Sequence, residues 1–159
     1  MSNSPIATVS ATCDCPDDLD RLCTQLLDKL GDTPDLIIGS YSSLCDVTHL
    51  TSRMPEHFPS AAIMGASTCR GAMTADGLTQ FGQPSVSLWG LTDEEGDYGV
   101  GHAHYQDSIE EAASSALEAA IKDARREGEL PDLVWIHSSP GHEEELVCLL
   151  YTSPSPRDS

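Results

Sequence analysis

Positive charge is what this chain has least of. Its 159 residues hold 8 Lys and Arg against 26 Asp and Glu, a net charge of −18. A chain with no basic surface cannot neutralise phosphates, which argues against nucleic-acid binding, and it gains nothing from an anionic bilayer. We read the acidity as serving solubility or a salt-adapted cytoplasm. Long apolar runs are missing too: no stretch of about 18 apolar residues occurs, so no membrane span is expected. The N-terminus, M-S-N-S-P-I-A-T-V-S, lacks the basic and apolar regions of a secretory signal. Cysteines at 13, 15, 23, 45, 69 and 148 are scattered and follow no disulfide framework. They are expected to be reduced thiols in a cytoplasmic protein.

What is present is an alternation of short β-branched runs and amphipathic stretches. Ile6–Thr12 reads as a strand. A helix over 17–30 follows, with Asp17 and Asp18 at its positive end, Gly31 beyond its last turn, and a stripe of Leu19, Leu22, Cys23, Leu26, Leu27 and Leu30. Pro34 opens a buried-type strand at Leu36–Ser40, Leu44–Met54 is a weaker helix, and Ala61–Ala66 is a further strand. Ser85–Leu91 and Tyr98–Tyr105 read as a hairpin about the acidic turn T-D-E-E-G-D. The clearest helix is Ser108–Arg126, opened by a Ser108/Glu111 capping box and ended by Gly128. Its alanine-rich face predicts close packing on a sheet. Leu133–Ile136 reads as a buried strand, and a last helix starts at Glu143. The expected fold is α/β, a mixed sheet flanked by helices in an incomplete single domain.

Pro59 to Met73 is the stretch that suggests a site. A run of small apolar residues ends in Gly65, Ala66, Ser67, Thr68, Cys69, Arg70 and Gly71. Small residues let backbone N–H groups approach a ligand, hydroxyls orient it, and Arg70 can pair with an anion. A second turn, Ser138-Ser139-Pro140-Gly141-His142, also follows a short apolar strand. If both strands are parallel, the two turns meet at one sheet edge and rim a pocket. An internal echo runs alongside: Pro34-Asp35-Leu36-Ile37-Ile38 precedes Ser42-Ser43, and Pro131-Asp132-Leu133-Val134-Trp135 precedes Ser138-Ser139. P-D-L is read as a strand opening rather than as a repeat architecture.

Three elements, Ile63-Met64-Gly65-Ala66-Ser67-Thr68, P-D-L-I-I at 34–38 and Ser138-Ser139-Pro140-Gly141-His142-Glu143-Glu144, resemble the N-terminal FIST domain, a prokaryotic sensory module. The resemblance covers roughly Pro5 to Val147. It implies a ligand-binding protein rather than an enzyme, with a small ligand such as an amino acid or another small anion. It also implies a signalling partner such as a histidine kinase. The candidate ligand residues, taken from the small-residue loop and the second turn, are Gly65, Ser67, Thr68, Arg70, Gly71, Ser138, Ser139 and His142. A Cys69-Arg70 pair stands where many relatives carry a small residue and Gly, and the family's domain continues beyond the Ser-Pro-Gly-His turn. The expected domain is therefore 5–147, truncated on its C-terminal side. Residues 148–159, C-L-L-Y-T-S-P-S-P-R-D-S, look like translated sequencing adapter and are expected to pack on nothing specific.

Two alternatives carry different chemistry. Some FIST proteins are reported to bind haem and sense nitric oxide, and six histidines are available here. Two Phe, two Trp and the lack of a C-x-x-C-H motif weigh against it. The second alternative is a hydrolase using Ser67 or Cys69, although the second glycine of a nucleophile elbow is missing after Ser67. His102/His104 and Cys13/Cys15 are spaced too closely for the usual zinc pairs, so no metal site is expected.

Overall fold

The chain was described from a computed structural model covering residues 5–13, 16–68, 73–74, 77–78, 82–105, 108–138 and 141. It divides into two units, Met1–Tyr98 and Gly99–Ser159.

The first unit is α/β. Its strands are β1 (Ile6–Thr12), β2 (Leu36–Ser42), β3 (Ala62–Thr68), the two-residue β4 (Met73–Thr74) and β5 (Gly77–Leu78), and β6 (Ser85–Leu91). Helices α1 (Pro16–Leu30) and α2 (Val47–His57) lie between the first three strands. The four long strands form one mixed sheet in the order β1-β6-β2-β3. β6 is antiparallel to both β1 and β2, while β3 is parallel to β2. β1, β2 and β3 therefore point the same way, and their C-terminal ends share an edge with the start of β6.

The sequence stripes explain the layering. Ala7 and Val9 of β1, Val86 and Leu88 of β6 and Ile37 of β2 are buried on one face. Leu19, Leu22, Cys23, Leu26 and Leu30 of α1 close over that face, joined by Met54 and Phe58 at the end of α2. Gly31 ends α1 in the left-handed region at φ 76°, donating to the Leu27 carbonyl at 2.7 Å. Asp46 caps α2 by accepting from Thr48 and His49 N–H groups. α2 starts three residues later than predicted because of this cap, and it carries Pro55 to end at His57 rather than Met54. β2 and β3 each run two residues further than predicted, so Ser67 and Thr68 belong to the strand and not to the loop. The β4–β5 hairpin falls inside what reads as loop.

The second unit differs more from expectation. Tyr98–Tyr105 forms no strand. The reason is visible at its glycines: a Cβ on Gly99 would lie 2.1 Å from the Ala120 carbonyl oxygen, and one on Gly101 2.0 Å from that of Ala116. This backbone lies directly on α3 (Ile109–Asp123), with Val100 N–H donating to the Asp123 carboxylate at 2.9 Å. The small-residue face of α3 thus receives irregular backbone, not a sheet, and no α3 residue is buried. Ser108 does cap α3, accepting from Glu111 N–H. The helix stops earlier than predicted, with Arg125 at φ 59° taking the left-handed position before Gly128. Leu133–Ile136 is neither buried nor a strand.

Candidate functional site

The residues that define a concavity come from two parallel strands with the same apolar-Ile-apolar-Gly pattern. β2 reads Leu36-Ile37-Ile38-Gly39 and β3 reads Ala62-Ile63-Met64-Gly65. Their register pairs Ile37 with Ile63 and Gly39 with Gly65. The two glycines leave a shallow floor where side chains would otherwise meet α2. A Cβ on Gly39 would reach Leu88 Cδ2 at 3.5 Å, and one on Gly65 would find nothing closer than the Gly39 carbonyl at 3.6 Å. Neither glycine has positive φ, so the space, not the backbone conformation, is what they provide.

Above this floor lies a cavity of about 260 Å³. Val47, Leu50, Thr51, Met54 and Pro55 of α2 form its roof, with Ile63, Val86, Leu88 and Tyr41 around the floor. An apolar cavity of about 150 Å³ already admits benzene, so this one has room for a single ring or a branched aliphatic group. No charged side chain lines it. Thr51 spends its hydroxyl on the Val47 and Thr48 carbonyls. The Tyr41 hydroxyl is left as the orienting group, since it makes no hydrogen bond to the protein among the described residues.

The helix that roofs the cavity is tied down at both ends. Asp46 holds its start. Near its end, Asp20 of α1 accepts from Arg53 Nη2 at 2.9 Å and from His57 Nε2 at 2.8 Å. Arg53 also pairs with Glu56. The Arg53 hydrogen bond, then that of His57, hold the Asp20 carboxyl below the ordinary carboxylate range. Beneath the cluster the Cys23 thiol donates to Met54 Sδ at 3.8 Å, and burial pushes its pKa up to about 12. A raised thiol pKa makes Cys23 a packing residue and not a nucleophile.

At the other end of the sheet the chain turn after β6 is built by carboxylates. Asp35 accepts from Asp93 N–H at 2.7 Å, and Asp93 in turn accepts from the Tyr98 hydroxyl at 2.7 Å. The Tyr98 bond lowers the Asp93 carboxyl, while burial and then that bond push the Tyr98 phenol up to about 12. This cluster fixes the turn.

Of the sequence-predicted site residues, Gly65 lines the cavity. Ser67 is exposed on β3 and Thr68 half-buried at its end. No hydrogen bond joins Ser67 to a histidine or carboxylate among the described residues. Ser138 is exposed in the second unit. Cys69, Arg70, Gly71, Ser139 and His142 lie outside the described residues, as do Cys15 and 148–159, so the expected meeting of the two turns falls there as well. His102 and His104 stand edge to face with centroids 6.3 Å apart. Among the described residues no group of three or more His, Cys, Asp or Glu could hold a metal ion.

Sequence reasoning missed the α2 side of the cavity, Leu50 and Met54 above all. The signal was there in the matching apolar-Ile-apolar-Gly of two strands, which is informative only once the strands are known to be neighbours. It also missed two buried serines. The register aligns Ser10, Ser87 and Ser40 across β1, β6 and β2 on the face away from α1. The Ser85 and Ser87 hydroxyls are buried and make no hydrogen bond among the described residues. No family model matches the chain, and no curated protein matches it. Among the described residues no helix is long and apolar enough to cross a membrane.

Proposed function

We propose that the Met1–Tyr98 unit is a small-molecule-binding sensory module whose ligand sits between α2 and the Gly39–Gly65 floor. The observation that carries the reading is the 260 Å³ cavity with an apolar lining and a single free phenol. Such a lining selects a small, largely apolar, neutral ligand carrying one hydrogen-bonding group for Tyr41. An anionic ligand has no partner in this cavity; it would need Arg70. The resemblance to the FIST sensory domain supports a role in signal transduction, without an enzymatic step, and a signalling protein such as a histidine kinase as recipient. The thiols of Cys23 and Cys45, in no disulfide, suit a reducing cytoplasm.

The output follows from how α2 is held. A ligand entering under Leu50 and Met54 pushes on a helix whose end is joined to α1 through Asp20, Arg53 and His57. Displacing α2 therefore strains the α1–α2 junction, and α1 carries the change to its outer surface. A methyl NMR titration with benzyl alcohol tests the site. The Leu50, Met54, Ile63, Val86 and Leu88 methyls are expected to shift together, while benzoate at the same concentration leaves them unmoved. Shifts confined to other methyls, or an equal response to benzoate, would contradict the reading.

A further inference from the structure

A second hydroxyl stands beside Tyr41 on the sheet face that α2 covers. The parallel register sets Ile37 against Ile63, Gly39 against Gly65 and Tyr41 against Ser67. Side chains alternate along a strand, so Ile63, Gly65 and Ser67 share the face of Ile37, Gly39 and Tyr41. Ile63, Gly39, Gly65 and Tyr41 line the cavity. Ser67 is the next member of that row, exposed, and about 7 Å along β3 from Gly65.

The Tyr41 ring leans across to β3, for its Cε1 would lie 3.8 Å from a Cβ on Gly65. Neighbouring strands run about 4.8 Å apart. The phenol and the Ser67 hydroxyl therefore rise from adjacent strands at one end of the cavity. Neither hydroxyl bonds to another described residue. Charge at this end comes from the start of α2. Residues 43–46 join β2 to that helix, and Val47, its first residue, lines the cavity. The Asp46 carboxylate caps the helix by accepting from the Thr48 and His49 N–H groups. It takes up donors that would draw an anion, and its own charge repels one. An uncharged polar head is what this end suits.

With the cavity as the ligand site, on which this assignment rests, we propose that Tyr41 and Ser67 act as a pair. The ligand is then a small ring carrying two adjacent uncharged oxygen groups, a vicinal diol or a hydroxy-ketone. The ring fills the space under Leu50 and Met54. One oxygen group meets the phenol and its neighbour meets Ser67, each at about 2.8 Å. Both protein hydroxyls donate and accept, so a diol and a hydroxy-ketone are served alike. Ser67 thus selects the head group, while the cavity selects the body.

The test is a methyl NMR titration of the full chain with phenol, catechol and hydroquinone under nitrogen. All three are expected to shift the Leu50, Met54, Ile63, Val86 and Leu88 methyls. Catechol should bind about fivefold tighter than phenol, the scale of one neutral hydrogen bond. Hydroquinone, with the same groups placed apart, should bind no better than phenol. Ser67→Ala should erase the catechol advantage and leave phenol affinity unchanged, which also shows that the cavity of the variant is intact. Shifts at these methyls with no preference for catechol would overturn the pairing and leave the cavity site standing. A catechol preference that survives Ser67→Ala would do the same. No shift at these methyls with any of the three would remove the cavity site, and the pairing with it.

Discussion

Gly90 is where the seating of α1 on the sheet can be tested quantitatively. It lies on the helix-facing side of β6, opposite Ala7 and Ile37. A Cβ there would lie 3.0 Å from Leu30 Cδ1 and 3.2 Å from both δ-carbons of Leu26. Optimal carbon contacts fall near 3.5–4.0 Å, so three methyl groups must give way together. Leu26 and Leu30 are buried and have little room to do so. Overpacking costs about 1–3 kcal/mol, and the lost freedom of the unfolded chain returns about 0.4–1 kcal/mol. Gly90→Ala should therefore destabilise by about 1 kcal/mol. Leu26→Ala alone should cost about 2–5 kcal/mol through the hole it leaves. In the double variant the methyl added in place of the Gly90 hydrogen moves into that hole, so the penalties should fall short of their sum by about 1–2 kcal/mol. Urea denaturation of the four proteins gives the cycle. Additivity within about 0.5 kcal/mol would mean that Leu26 does not sit over Gly90, and the layering would be wrong.

Other consequences concern the roof of the cavity and its ties. Asp20 has a lowered folded-state pKa, so its contribution to stability is complete above the unfolded value and is lost as pH falls through the lower folded value. Wild type should thus show an acid limb below about pH 4 that is weaker in Asp20→Asn; identical limbs in urea midpoints against pH would contradict this. Asp46→Ala should cost about 1 kcal/mol by uncapping α2, and Leu50 and Met54 methyl signals should broaden as the roof loosens. Cys23, with its thiol near 12, should resist alkylation at about pH 8 until denaturant is added, whereas Cys13 and Cys45 react in the native protein. Mass spectrometry of the labelled peptides decides it, and early labelling of Cys23 would show that the α1–α2 junction opens.

Helical periodicity made α1 readable because the whole stripe from Leu19 to Leu30 has one job, to cover a sheet face. Strand starts at Ile6, Leu36 and Ser85 were equally plain. The ends of β2 and β3 were not, since Tyr41–Ser42 and Ser67–Thr68 look like turn residues until a partner strand pairs their backbones. Tyr98–Tyr105 alternates like a strand, yet Gly99 and Gly101 bring its backbone onto α3, a tertiary contact that periodicity cannot express. Leu133–Ile136 has strand composition but forms no ladder among the described residues, because strand composition alone supplies no partner. The site was legible at Gly65 alone. Its partner Gly39, and the α2 side chains above both, become a site only through the parallel register of two strands 26 positions apart.

Gly65→Val offers the most direct test of the ligand cavity. Its first carbon meets only ordinary contacts, at 3.6 Å from the Gly39 carbonyl and 3.8 Å from Tyr41 Cε1, and β-branched residues suit a strand. The added methyls project into the cavity under Leu50 and Met54. Benzyl alcohol titrated against wild type and Gly65→Val, followed by the methyl signals of Leu50, Met54 and Ile63, should give saturable binding to the wild type. The equally stable variant should show none. Undiminished binding to Gly65→Val would place the ligand elsewhere and contradict the account.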